Sequence, residues 1–200
     1  QLLASWRRVK SLLPIHAAIG GEVNSSTSRG LERRGAKILR ADPVVPPRWA
    51  NPWHLGTFNK LAALQFVQFD KIVLVDNDLT LLGSIDHLAM LPSPAAAWVA
   101  DSDRCRFNSG LMVLTPSALE AQRMTRYLEQ ARAAAAPSSD EGTCSDQAVW
   151  AHFYGRFFEI PIAYNAHRAL RMAAKEWRAV RVVHHLFAHE WRHRQHRFAP

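Results

Sequence analysis

The run KIVLVDNDLTLL, Lys71 to Leu82, carries a continuous stretch of branched apolar residues straight into two acids, Asp76 and Asp78. Continuous apolarity from Ile72 to Val75 predicts a short strand buried on both faces, as in a parallel sheet. The rest of the chain alternates short apolar runs with segments of helical spacing. SLLPIHAAI reads as a strand, followed by the polar GGEVNSSTSRG. RGLERRGAKILRA reads as the end of a helix, a turn at Gly35 and a strand from Lys37. DPVVPPRWANPWHLG is too rich in proline to be regular and predicts a loop packed by Trp49 and Trp53. In TFNKLAALQFVQF, Leu61, Leu64 and Phe66 suit a helix lying on the strand that follows. FNSGLMVLTP predicts another strand ended by Pro116, and SALEAQRMTRYLEQARAAAA a helix ending before Pro137. SDQAVWAHFYG reads as a shorter helix and RFFEIPIAYN as extended chain. From Ala166 onward, helix mixes with a tail rich in His, Arg and Trp. Strands alternating with helices predict an α/β domain with a mostly parallel sheet.

Composition narrows the class. At 200 residues the chain fits one domain, with 192–200 as a basic tail. No apolar run reaches the about 18 residues of a membrane span. Arg7, Arg8 and Lys10 break the opening apolar run, unlike a signal peptide's core. The first residue is Gln, so a signal or anchor upstream stays open. A net charge of +8 and a pI near 10.2 favour an anionic partner. Nucleotide diphosphates, acidic sugars, membranes and nucleic acids all qualify. Two cysteines, Cys105 and Cys144, have no zinc spacing and suit buried thiols.

The acids carry the chemistry. Ligands of open α/β sheets sit beyond the carboxyl ends of the strands, where Asp76-Asn77-Asp78 falls. In extended backbone, residues two apart face one side, so both carboxylates can reach one hard cation such as Mg²⁺ or Mn²⁺. Two enzyme classes use such a tip. In nucleotide-sugar transferases a metal bridges the diphosphate. In aspartate-nucleophile phosphohydrolases, Asp76 would attack phosphorus and Asp78 act as acid and base, in the pattern Asp-x-Asp-x-Thr ending at Thr80. An acidic turn after a buried strand is the third option.

FNKLAALQFVQFDKIVLVDNDLTLLGSIDHL, then FNSGLMVLTPS, SDQAVW, IPIAYN and VVHHLFAHEW, resembles glycosyltransferase family 8, the glycogenin-like family. The plant branch with the xylan glucuronosyltransferases is the most similar. The resemblance spans about Ser11 to Trp191, with all five motifs in family order. It implies a GT-A, Rossmann-like fold whose first strand this chain lacks, SLLPIHAAI matching the second. The phosphohydrolases instead place their nucleophile on the first strand and need a later acidic pair, which is not evident here.

The resemblance also implies roles. Asp76, Asp78 and His184 would bind Mn²⁺, or Mg²⁺, and the donor would be a UDP-sugar. Lys60 would neutralise a phosphate or orient the sugar, with Asn77 beside the donor. Asn108 and Ser109 match positions that hydrogen-bond the donor sugar, and Gly110 would allow close approach of the backbone. Asp146 would hold sugar hydroxyls and Gln147 would lie near the anomeric carbon, as the catalytic pair. Ser145 could instead simply cap a helix. Asn165 is an acceptor-side or donor-side candidate. The implied reaction retains anomeric configuration and moves a hexose-type sugar to a glycan or protein, in the Golgi or another secretory lumen.

Departures are localised. In the late family motif His-x-x-Gly-x-Lys-Pro-Trp, Phe187, His189 and Glu190 replace Gly, Lys and Pro. His189 could replace the lost phosphate contact only when protonated. Thr143 stands where an acid usually precedes the Asp-Gln pair. Cys105 and Cys144 each precede a site motif, so a disulfide would suit an oxidising lumen. A degenerate member that binds without turnover is the runner-up. EWRHRQHRF interleaves cations and aromatics as RNA binders do, but no nucleic-acid motif accompanies it, and a nucleic-acid partner is not expected.

Overall fold

The computed structural model describes residues 1–20, 23–101, 104–133, 145–167 and 172–185, with side chains 99–107 and 133 also left out of the description. Thr143, Cys144, Phe187, His189, Glu190, the tail 192–200 and the Cys105 side chain fall outside it, and with them the disulfide and the late-motif contacts.

Helix α1 (Leu2–Arg8) precedes β1 (His16–Gly20), α2 (Ser25–Arg33) and β2 (Lys37–Ala41). The β1 and β2 strands pair in parallel across α2, a βαβ unit. The Asn24 side chain accepts from the Ser26 amide at 2.8 Å and starts α2. Gly35 turns the chain at φ 85°, where a side chain would be strained.

The segment Pro52–Gln65 is helical but winds as a 3-10 helix. Asn51 caps it by accepting from Trp53 N at 3.0 Å, and Pro52 stands in its first turn, where no amide donor is needed. Phe58, Leu61 and Leu64, all buried, recur every third residue. That period lines them on one edge at about 3 residues per turn and would spiral them off an α-helix. Trp49 packs edge-on against Phe58, as the loop pattern predicts. Trp53 does not pack: it is 92% exposed. Its backbone amide, satisfied by Asn51, holds the turn, and its ring is not needed for it.

The central sheet has the order β3 (Ile72–Val75), β6 (Arg104–Leu114), β5 (Ala95–Asp101), β7 (Phe158–Ile160). Strands β3, β5 and β7 share one direction, and β6 runs against its two neighbours. The α/β, Rossmann-like class therefore holds, but β3 pairs antiparallel. It lies at one edge of the described sheet and is only half-buried. Along β6, Leu111 and Val113 enter one core with Trp6, Leu79, Leu81, Ile85 and Val182. Met112 and Leu114 enter the other, with Phe58, Leu64, Val149 and Trp150. Alternate residues face opposite sides, so apolarity without alternation marks burial on both faces.

A second sheet orders β4 (Leu79–Leu81), β9 (Val182–His184) and β8 (Ala166–His167). Helices α3 (Ala118–Ala133) and α4 (Asp146–Tyr154) contribute to the second core, and α5 (Ala174–Ala179) precedes β9. No described helix is long and apolar enough to cross a membrane.

Leu64 is fully buried in the core under the 3-10 helix. Leu64→Ala is expected to cost about 2–5 kcal/mol, read as a lowered denaturant midpoint with unchanged slope.

Candidate active site

Asp76 leaves the end of β3 still held in the ladder, its amide donating to Gly110 O at 2.9 Å. The chain then turns through Asn77, which is exposed, into β4. The two acids thus converge through a turn rather than along an extended strand. Asp78 is tied down by His185, whose amide donates to Asp78 O at 3.1 Å. Because Leu79 pairs with His184 across β4 and β9, the second acid and the histidine arrive together.

One ligand atom each from Asp76, Asp78 and His184 lies within 4.8 Å of the others. His184 Nε2 is 3.1 Å from Asp78 Oδ1 and 3.9 Å from Asp76 Oδ2. The ring is fully buried, yet Nε2 makes no hydrogen bond of acceptable geometry. A buried nitrogen left unbonded beside two carboxylates fits a cation ligand. Thr80, by contrast, contacts His185 and Gln1 from within β4, so it does not join the acids as the hydrolase pattern would need.

Lys60 forms the other wall. Its ammonium lies 3.1 Å from Asp76 Oδ1, 3.2 Å from Asp146 Oδ2 and 2.8 Å from Ser109 Oγ. Burial alone would depress the lysine, but the carboxylates of Asp146 and Asp76 outweigh it and hold its pKa above the ordinary value. Burial lifts the Asp76 carboxyl, against the pull of Lys60. Burial would lift Asp78 too, but its close polar contact with the His184 ring, and that ring's charge when protonated, hold it lower than usual.

Asp146 is buried in the first turn of α4, whose N-terminus favours a negative charge. Ser145 caps that helix, accepting from Gln147 N at 3.3 Å, as the capping reading predicts. Gln147 turns its Oε1 onto the Ser109 amide at 3.1 Å.

Ser109 is presented by a bulge. On β6, Met112 opposes Ala96 and Asn108 opposes Ala97, so Ser109, Gly110 and Leu111 have no counterparts on β5. Bulges re-aim side chains beside functional sites. Gly110 is needed there for a reason its sequence context does not show. A Cβ would lie 2.3 Å from His184 Cε1 and 2.6 Å from Asn108 Oδ1. The missing side chain makes room for the histidine.

Asn108 and Asn165 face this histidine as well. Asn108 Oδ1 accepts from Gly110 N at 2.8 Å and from Asn165 Nδ2 at 3.0 Å, and Asn165 Oδ1 meets His184 Nδ1 at 2.7 Å. The sequence motifs single out both asparagines without revealing that they are joined.

An acid pair and a histidine lie beyond a mixed α/β sheet, flanked by a shared lysine, and the fold is of the GT-A glycosyltransferase class. Solved structures share the fold. A bifunctional glycosyltransferase, WbbM, superposes with a TM-score of 0.63 at 16% identity, over 92% of this chain and 42% of its own. The glycosyltransferase GlyE of Streptococcus pneumoniae gives 0.59 at 14% identity, over 91% and 50%. The model of glycosyl transferase family 8 matches residues 46–188, and the chain belongs to that family.

Among curated proteins, it is 31% identical over 127 residues to an Arabidopsis thaliana protein provisionally named UDP-glucuronate:xylan alpha-glucuronosyltransferase 5. That match covers 62% of this chain and 21% of the relative. Galactinol synthase 3 of the same plant is 31% identical over 95 residues, 46% of this chain and 28% of its own. The chain thus spans less than a third of either relative.

Two substitutions probe the geometry. Lys60→Met leaves the buried Asp146 and the half-buried Asp76 without their shared cation, and is expected to cost about 3–5 kcal/mol in denaturant unfolding. Gly110→Ala displaces the His184 ring, and is expected to weaken Mn²⁺ binding by about tenfold or more in calorimetric titration.

Proposed function

We propose that this family 8 member transfers a hexose-type sugar from a UDP-sugar to a glycan or protein acceptor, with retention of anomeric configuration. The observation carrying the reading is the convergence of Asp76, Asp78 and His184 on one point, beside the Lys60, Ser109 and Asp146 cluster. The three residues would hold Mn²⁺ or Mg²⁺, which when bound supplies positive charge to a departing diphosphate. The names of the relatives, a glucuronosyltransferase and a galactinol synthase, and the net charge of +8 support an anionic sugar-nucleotide donor.

The chain's own groups divide the remaining work. Lys60 adds a fixed cation between the metal side and the sugar side, where electrostatic stabilisation of the leaving group is worth most. Asp146 offers a carboxylate to donor hydroxyls. Asn77 would face the donor. Gln147 is a poor nucleophile, and its oxygen is already occupied by the Ser109 amide. The reading is therefore front-face displacement through an oxocarbenium-like state, with the leaving diphosphate oxygen assisting the acceptor. The secretory lumen is the compartment proposed for it.

Mn²⁺-dependent release of UDP from UDP-sugars by the full-length protein tests this. Asp78→Asn is expected to lower kcat/KM by about 100-fold or more. Turnover indifferent to that change would remove the metal from the reaction. UDP-sugar binding with no release under any metal would leave a family member that binds without transferring.

A further inference from the structure

Amide orientations and histidine tautomers normally have to be inferred from their neighbours. Here one group breaks the ambiguity. A backbone N–H can only donate, so the Gly110 amide requires an acceptor at Asn108 Oδ1, 2.8 Å away. Facing that oxygen, Asn165 must present its NH₂, at 3.0 Å. Its Oδ1 is thereby turned to His184 Nδ1 at 2.7 Å. A carbonyl oxygen only accepts, so Nδ1 carries a proton, and in the neutral ring Nε2 is the nitrogen that presents a lone pair toward Asp76 and Asp78.

We infer that Asn165, anchored through Asn108 to the β6 bulge, is a positioning residue that commits His184 to binding a cation through Nε2. The inference rests on the metal reading above and adds a device to it. Without that device, two nearby carboxylates would favour a proton on Nε2, with His184 donating to Asp78 3.1 Å away. Such a proton would have to leave before any ion could bind. The relay instead fixes the ring orientation and, in the neutral ring, holds the proton on Nδ1 before the ion arrives. Asn165 and His184 are both fully buried, so water does not substitute freely for either partner. The three elements involved are remote in sequence: β6, the turn before β8, and β9. Outer partners that orient a metal-binding histidine change metal affinity by about 10–100-fold when removed.

The decisive measurement is the imidazole ¹⁵N–¹H spectrum of the ion-free wild-type protein, at a pH where the ring is neutral. His184 is expected as the Nδ1–H tautomer, and an Nε2–H tautomer would overturn the inference. This reading needs no variant to fold. Two variants extend it. Asn165→Leu removes the acceptor, and is expected to show Nε2–H and to bind Mn²⁺ about 10–100-fold more weakly. Asn165→Asp restores an acceptor for Nδ1–H, and is expected to keep the tautomer and bind about tenfold or more tightly than the leucine variant. A folded Asn165→Leu protein with wild-type affinity would overturn the inference. His184→Ala and Asp78→Asn in the same Mn²⁺ titration separate the two levels. If these bind like wild type, the metal reading itself fails. If they lose the ion while Asn165→Leu does not, only the relay fails.

Discussion

Three carboxylates, from Asp76, Asp78 and Asp146, crowd one end of the sheet, and they can stay there only if positive charge is supplied. Lys60 supplies one charge between Asp76 and Asp146. The side facing Asp78 is met by an imidazole whose buried Nε2 makes no hydrogen bond. Uncompensated buried charge is among the costlier things a fold can hold. The arrangement is therefore half-satisfied by the chain itself, with a cation fitting the remainder.

The scaffold brings those groups together with few parts. Strand β6 feeds both hydrophobic cores with alternate residues as far as Leu111, then bulges to put Ser109 against Lys60 and Gly110 beneath the histidine ring. Strand β9 carries His184 beside β4, so a single pairing register brings the late histidine to Asp78. The N-terminal turn of α4 delivers Asp146 and Gln147 together.

Much of this was legible from residues alone. The apolar run ending at Asp76 marked the strand and its charged tip, and the five ordered motifs resembled the family whose model matches the chain. What stayed hidden depends on packing between remote segments. Nothing local tells that β6 runs against β3, because a strand buried on both faces reads alike in either direction. Trp53 looked like packing material since tryptophan usually is, yet Asn51 and Pro52 set that turn without it. Asn165 stood out in its motif as an acceptor-side or donor-side candidate, but its place beside His184 had no local signal, for that comes from an amide contributed by residue 108 and a ring contributed by residue 184. Leu61, Leu64 and Phe66 marked a helix without marking its winding, because three apolar residues at such spacing fit one face of either an α-helix or a 3-10 helix.

That tight winding leaves the lysine little freedom. With about 3 residues per turn, removing one residue between Asn51 and Lys60 would swing the ammonium about a third of the way round the axis. The linker's length is thus set by angle as much as by reach, and drift in chain length is better tolerated upstream, in the proline-rich loop, than inside the coil.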